Sequence, residues 1–349
     1  MTPDVDVVIV GGGPVGLAAS VYARRAGLTV TVVEPRHAPI DKACGEGLMP
    51  TGLAALRALG VDPPGREFVG ITYLTADGRQ RADASFRGAA GRGVRRTELH
   101  RALSERAAAI GVAVRTAKVT AVDQDTDGVE AQLTTGERVG ARYLLAADGL
   151  HSPIRRAVGL RDVARGPVRY GLRTHFAVVP WSDRVEVYWG RTAEAYVTPV
   201  DDDVVGVAVL GIGRAGSFPE RLRQFPALVA RLHGRAAMEK VAGAGPLRQR
   251  VTAVGDGRVM LVGDAAGYVD ALTGEGLSIG FDSARIAVDC IVRECPEQYG
   301  RRWRAASRRS RLLTEAVVAA AGSRWFRPAI VPAADLVPEV FSLAVRSLA

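Results

Sequence analysis

Six residues, Gly11-Gly12-Gly13-Pro14-Val15-Gly16, constrain this chain more than any other segment. They follow Val5 to Val10, a short and nearly continuous apolar run of the kind that makes a strand buried on both faces. Leu17 to Ala26 then reads as a helix ending at Gly27, and Leu28 to Val33 as a second apolar strand closing on Glu34. This is a strand–helix–strand unit with a G-x-G-x-x-G turn at its first crossover and an acidic residue at the end of its second strand. Gly11 permits the tight turn, Gly13 lets backbone N–H groups approach a pyrophosphate, and Gly16 lets helix and strand pack closely. The helix N-terminus adds roughly half a positive charge towards the phosphates. Pro14 and Val15 belong to the same contact. Glu34 is placed to accept hydrogen bonds from an adenosine ribose, with Arg36 beside it. The turn alone does not separate FAD from NAD.

Further along, residues 52–60 and Thr97 to Ala109 read as helices, the latter with Leu99, Leu103 and Ala107 on one face. Between residues 112 and 147 two turn signals, Asp125-Thr126-Asp127-Gly128 and Thr135-Gly136, separate three strand-like runs and predict an antiparallel meander. Short strands continue from Val168 to Leu210. Ser217 to Arg235 is helical, with a break expected at Pro226. Val259 to Val262 is a buried strand ending at Gly263-Asp264, a long helix covers about 275–294, and the remainder is mainly helical.

Two later segments turn the nucleotide reading towards a flavin. Ala146-Ala147-Asp148-Gly149-Leu150-His151-Ser152-Pro153-Ile154-Arg155 resembles the Asp-Gly motif of flavoprotein hydroxylases, and Val262-Gly263-Asp264-Ala265-Ala266-Gly267 resembles their second ribose-binding motif. With the glycine turn, these stand in the order found in the p-hydroxybenzoate hydroxylase-like superfamily of FAD-dependent oxidoreductases. The resemblance implies that Asp264, next to Gly263, holds the ribityl chain, and that Asp148 with Gly149 lies near the pyrophosphate. Arg96 matches the arginine that leads the family's next helix and touches the cofactor, and Val119 is assigned to the cofactor on the same basis. Asp41-Lys42-Ala43-Cys44-Gly45-Glu46-Gly47-Leu48 and the run from Asp264 through Thr273-Gly274-Glu275-Gly276-Leu277 are closest to the geranylgeranyl reductase branch. Thr273 to Leu277 opens a helix whose free N–H groups suit the flavin pyrimidine edge, where negative charge gathers on reduction. Cys44 and Glu46 are the candidate catalytic residues, expected beside the flavin. For Glu46, a solvated loop carboxylate is the competing reading.

The expected fold is mixed α/β. A Rossmann-like FAD-binding domain comes from residues 1–70, 95–165 and 250–300, an antiparallel β-sheet substrate domain from 71–94 and 166–249, and a helical C-terminal segment from 301–349. In the reductase branch a Pro-x-x-Tyr-x-Trp-x-Phe-Pro segment lines the isoprenoid site. Here the corresponding stretch is Arg191 to Pro199, in which only Pro199 matches and Tyr196 stands for the tryptophan. Arg191, Glu194 and Thr198 replace apolar or aromatic positions, so a pocket more polar or smaller than a polyprenyl site is expected. Tyr196, Thr198 and Pro199 are the candidate substrate contacts.

That departure places an NAD(P)H-dependent monooxygenase first. It would hydroxylate or epoxidise a small molecule of secondary metabolism through a flavin C4a hydroperoxide, with NAD(P)H a transient reductant. A carbon–carbon double-bond reductase comes second, and a flavoprotein that modifies or escorts a partner protein third. The composition agrees with an enzyme of this kind: 349 residues, 48% hydrophobic and 24% charged. The formal charge of +9 is spread along the chain without nucleic-acid motifs, so no nucleic acid is expected and anionic ligands are favoured. Three cysteines make no disulfide framework, and no Cys/His spacing suits a metal. The start lacks the features of a secretory signal, and no apolar run reaches a transmembrane length of about 18 residues; a cytoplasmic monomer or homodimer is expected. Trp325-Phe326 near arginines allows peripheral membrane contact, although closing the core or a subunit contact is the favoured reading.

Overall fold

The computed structural model describes residues 3–162, 166, 168–213 and 216–346. The expected domain boundary at residue 165 and the last residues of the C-terminal segment, 347–349, lie outside them.

The strand–helix–strand unit forms as its sequence dictates. Val5–Val10 pairs in parallel with Val30–Val33 on one side and with Arg138–Ala146 on the other. Ala113–Arg115 extends this sheet beyond Val30–Val33, and Val259–Leu261 extends it beyond Arg138–Ala146, both in parallel. The central strands are buried throughout their C-terminal halves, which is why they read as continuous rather than alternating apolar runs. Helices Pro14–Arg25, Arg96–Ala109 and Gly276–Val292 pack beside one another on this sheet. The expected meander is present: Val119–Gln124, Val129–Leu133 and Arg138–Ala146 pair antiparallel in sequence order.

A seven-stranded second sheet takes Ala242–Ala244, Arg169–Phe176, Val205–Ile212, Ala193–Pro199, Val185–Trp189, Gly70–Thr75 and Arg81–Ser85 in that spatial order. It is antiparallel as expected except at one place, where Gly70–Thr75 runs parallel to Val185–Trp189. Those two strands are joined by a long excursion through the first sheet rather than by a hairpin, so nothing forces them to run in opposite directions. Gly91–Gly93 joins neither large sheet. It pairs with Gly47–Leu48 and Arg66–Phe68 in a three-stranded sheet, which links a segment expected in the substrate domain to two expected in the nucleotide domain. The helical break at Pro226 occurs, between helices Phe218–Leu222 and Pro226–Arg231.

The C-terminal helices Tyr299–Gly322, Ile330–Leu336 and Pro338–Arg346 return to the second sheet. The last two pack against Arg81–Ser85 and Gly70–Thr75, and Phe341 stacks on Tyr73 with ring centroids 4.5 Å apart. A single apolar cluster therefore joins second-sheet residues such as Ile71, Val187 and Leu210 to Val331, Phe341 and Val345.

Candidate flavin site and its adjoining chamber

The glycine turn has the geometry its three glycines require. Gly11 has φ of +107°, and a Cβ there would lie 2.4 Å from the Ala147 carbonyl oxygen. A Cβ at Gly16 would meet the Gly11 carbonyl oxygen at 1.9 Å, so helix and strand touch here only because the side chain is missing. Around Gly13 a Cβ would meet nothing within 4 Å. The space in front of Gly13 is open at the N-terminus of a twelve-residue helix, as a pyrophosphate needs.

Behind the turn, the Gly12 N–H donates to Glu34 Oε2 at 2.8 Å, and Arg36 pairs with the same carboxylate at 2.7 Å. Burial alone would push the Glu34 carboxyl up, but the hydrogen bonds from Arg36 and Gly12 outweigh it and hold its pKa below the ordinary value. Glu34 is therefore a fixed anion at the strand end. His100 was not singled out from the sequence. Its Nε2 lies 3.0 Å from the Gly12 carbonyl oxygen, which requires the Nε2–H tautomer, and the Ser104 hydroxyl sits 3.2 Å from Nδ1. Burial lowers the His100 pKa and keeps it neutral, so it holds the loop without repelling a cation beside Glu34.

The Asp-Gly and Gly-Asp motifs meet through Arg155. This arginine is 1% exposed and donates to the carbonyl oxygens of Leu150 and Ala265 and to Gln249 Oε1, at 2.9–3.0 Å. Asp148 accepts the Ile154 N–H at 3.0 Å and so starts the helix Pro153–Ala157. Burial raises its pKa despite that bond and the nearby Arg155, and its Oδ1 has no partner within the protein. Asp264 projects from the turn after Val259–Leu261 and meets Lys42 Nζ at 3.1 Å. Lys42 is a second residue the sequence left unassigned. It lies over Gly149, bringing a positive charge between the two motifs. The open turn, the unpartnered Asp148 oxygen and the Lys42–Asp264 pair all fit the phosphate and ribityl portions of FAD.

One continuous cavity of about 960 Å³ runs from this place into the second sheet. Of the expected cofactor residues, Gly13, Pro14, Val15, Arg36, Cys44, Arg96, Asp148, Gly149, Asp264, Thr273, Gly274, Gly276 and Leu277 line it. Gly11, Gly16, Glu34 and Gly263 shape it from behind, Gly263 through its N–H to the Ser283 hydroxyl. Two others do not take part. Val119 is buried in the first-sheet core on the meander, and Glu275 turns away to accept the Ser310 hydroxyl at 2.6 Å. Among the expected substrate contacts, Tyr196 and Thr198 line the cavity, whereas Pro199 ends its strand against Gly93 and does not.

Glu46 is not a solvated carboxylate. It is 3% exposed, with φ of +61°, and its loop conformation is imposed from the second sheet. His175 Nε2 lies 2.6 Å from Glu46 Oε2, and the Arg96 N–H donates to Oε1 at 2.9 Å. His175 Nδ1 in turn meets Glu239, which also pairs with Arg173 and Arg95. Cys44 lines the cavity, and its sulfur accepts the Glu46 N–H at 3.4 Å. These contacts make Glu46 a positioning residue for the loop Cys44–Gly47. The signal that was missed is His175, whose role depends on a strand distant in sequence.

The expectation of a polar pocket is overturned. Glu194 shares the strand face of Tyr196 and Thr198, but it is completely buried and does not line the cavity, being held in ion pairs with Arg169 and Arg327 at 2.7 Å each. Asp270 joins the same cluster, 3.0 Å from Arg169. The Thr198 hydroxyl donates to the Gly45 carbonyl oxygen at 2.8 Å, the Tyr196 hydroxyl donates to Leu272, and Arg191 is exposed. With these groups paired, the chamber wall consists of Ile71, Tyr73, Val185, Val187, Leu210, Leu313, Val317, Ile330, Val337 and Phe341 among others. The C-terminal helices thus form one side of a greasy chamber. Leu313, Val317 and Ala320 follow one another at helical spacing on the chamber side of Tyr299–Gly322, a segment read from sequence only as helical.

Asp270 carries a pH prediction. Burial, with Glu194 adding to it and Arg169 opposing, pushes its pKa up to about 6. A carboxyl raised on folding stabilises fully below its unfolded pKa of about 3.9, and that contribution is lost as pH rises through about 6. The melting temperature of the wild-type protein relative to Asp270→Asn should therefore fall between about pH 4 and pH 6 and level off above that. A difference that is flat or rises over this range would contradict the assignment.

Residues 4–291 match the family described as FAD binding domain. The chain is 30% identical over 343 residues to menaquinone reductase of Mycobacterium tuberculosis (strain CDC 1551 / Oshkosh), covering 88% of this chain and 84% of that protein. It is 27% identical over 308 residues to digeranylgeranylglycerophospholipid reductase 1 of Methanothermobacter thermautotrophicus, covering 82% and 77%. Among solved structures, the flavin-dependent halogenase CmlS superposes with a TM-score of 0.82 at 21% identity, over 94% of this chain and 67% of that one, a likeness of fold. On its motifs, its cavity and its matched length, the chain belongs to the p-hydroxybenzoate hydroxylase-like family of FAD-dependent oxidoreductases.

Proposed function

We propose that this protein reduces a carbon–carbon double bond in a lipid-soluble substrate bearing a polyprenyl chain, with NAD(P)H as the transient source of electrons. The observation that carries this reading is the apolar chamber continuous with the flavin site. Arg191 to Pro199 argued for a polar pocket only while Glu194 and Thr198 were taken to face the substrate. With both turned into partners of their own, that argument against an isoprenoid falls. The names of the two similar reductases both denote substrates with polyprenyl chains, which agrees with such a chamber.

Bound FAD supplies the hydride chemistry. The chain's own residues arrange the rest. Gly13 and the helix behind it receive the phosphates, Lys42 and Asp264 flank the ribityl position, and the Thr273–Gly276 turn directs helix N–H groups into the cavity. Val187, Leu210, Val317 and Phe341 hold an aliphatic chain and exclude water from the reacting bond. Glu46, fixed by His175, keeps Cys44 and Gly45 in the cavity wall.

The test uses FAD-loaded protein reduced anaerobically and mixed with a short-tailed polyprenyl quinone. After any quinol is reoxidised to the quinone, mass spectrometry should show two additional hydrogens retained in the prenyl chain of a product formed without O2. A product that carries an added oxygen and appears only in air would make the protein a monooxygenase instead.

A further inference from the structure

The far end of the chamber does not close on polar surface. Arg327–Leu336 and Pro338–Arg346 meet at a bend of 101°, and beside that bend Val337 and Val340 line the chamber while also reaching the protein exterior. Their neighbours Leu336 and Leu343 are 83% and 65% exposed, and just upstream Trp325 and Phe326 are 75% and 68% exposed. Scattered exposed apolar side chains are ordinary, but a concentration of large ones at a cavity mouth marks a binding surface. The opposite side of the last helix, Phe341 and Val345, is buried in the core, so the helix is anchored and cannot fold this face inward.

The charges around this surface favour one occupant. Arg324 stacks over the Trp325 ring at 4.7 Å, the arrangement of an amphipathic pair at a lipid–water boundary. On the docking segments themselves Arg324 and Arg346 stand against the carboxylates of Asp335 and Glu339, and the helix Tyr299–Gly322 that leads into them adds the exposed Arg308 and Arg309. Among the described residues no single helix is long and apolar enough to span a bilayer, and the bent pair is anchored in the core through Val331, Phe341 and Val345, which favours an interfacial mode. We propose that the C-terminal helices dock this protein on an anionic phospholipid bilayer, with Trp325, Phe326, Leu336, Val340 and Leu343 at the acyl boundary. The chamber mouth then opens into the lipid phase, and an amphiphile enters without its chain crossing water. The proposal rests on the lipid-substrate reading above.

The test takes full-length, FAD-loaded protein and vesicles of phosphatidylcholine with or without phosphatidylglycerol. Co-sedimentation should require the anionic lipid and weaken with salt, and a blue shift in tryptophan emission should disappear in Trp325→Phe. Leu336→Ser/Leu343→Ser should weaken vesicle binding by about tenfold or more, with melting temperature and flavin absorbance unchanged. Failure to sediment with anionic vesicles would overturn the proposal, as would unchanged binding by the double variant. A wild type that is dimeric where the double variant is monomeric would assign the face to a second copy and overturn it as well. Because binding is read without turnover, its failure leaves the reductase reading standing, and an oxygenated product would sink that reading alone.

Discussion

Gly13→Val should yield a folded, colourless protein. The backbone at this position has φ of −68° and ψ of 176°, which valine adopts without strain, and a Cβ there meets no protein atom within 4 Å. The added side chain therefore costs the apoprotein little, but it occupies the space through which phosphates reach the helix N-terminus. Affinity for FAD should fall by at least about 100-fold, or roughly 3 kcal/mol. Far-ultraviolet circular dichroism should remain that of the wild type. Gly16→Ala should behave in the opposite way. Its Cβ would overlap the Gly11 carbonyl oxygen at 1.9 Å, a backbone atom that cannot rotate aside, so stability falls with cofactor affinity. A yellow Gly13→Val protein with unaltered FAD binding would mean that the phosphates do not lie where the turn directs them.

Glu194→Ala should be among the most destabilising single substitutions in the second sheet. Glu194 is the carboxylate shared by Arg169 and Arg327, and all three side chains are almost wholly removed from solvent. Deleting it strands two guanidinium groups with only Asp270 left to balance them. Removing one partner of a buried ion pair costs about 3–5 kcal/mol, because the remaining charge keeps its desolvation penalty. The melting temperature should fall accordingly. Arg327→Met in the Glu194→Ala background should recover part of the loss by removing one stranded cation. If Glu194→Ala melts within a degree or so of the wild type, the cluster contributes little and the paired orientation of Glu194 is wrong.

The parts that were legible in sequence are those where a local backbone demand restricts the residue type. Gly11 and Gly16 had to be glycine for reasons of turn geometry and close approach, Gly13 keeps the space in front of the helix open, and Asp148 and Asp264 sit at turns with recognisable neighbours. The strand–helix–strand unit and the antiparallel meander of the first sheet followed from apolar runs separated by a helix-length segment or by turn signals. The chamber was not legible in the same way. Whether Glu194 faces a ligand or an arginine depends on Arg169 and Arg327, which reach it through the fold from different elements. Periodicity puts Glu194, Tyr196 and Thr198 on one face of their strand; it does not report which of them meets a buried partner. His175, His100 and Lys42 were missed for a related reason, since each acts on a loop far from it in sequence. The proposal of a reductase rather than the monooxygenase expected from sequence rests on the pairing of two side chains, Glu194 and Thr198.

The Arg155 contact also bears on the order in which the site is made. Its guanidinium is bonded by Leu150, close by, but also by Gln249 and Ala265, which are synthesised about a hundred residues later. Until Val259–Leu261 docks beside Arg138–Ala146, this cation has no complete socket, and Asp264 has no fixed position. On a ribosome the glycine turn therefore emerges early but waits for most of the chain. Flavin capture waits for Gln249 to Ala265, after the second sheet has been threaded between the two halves of its binding site.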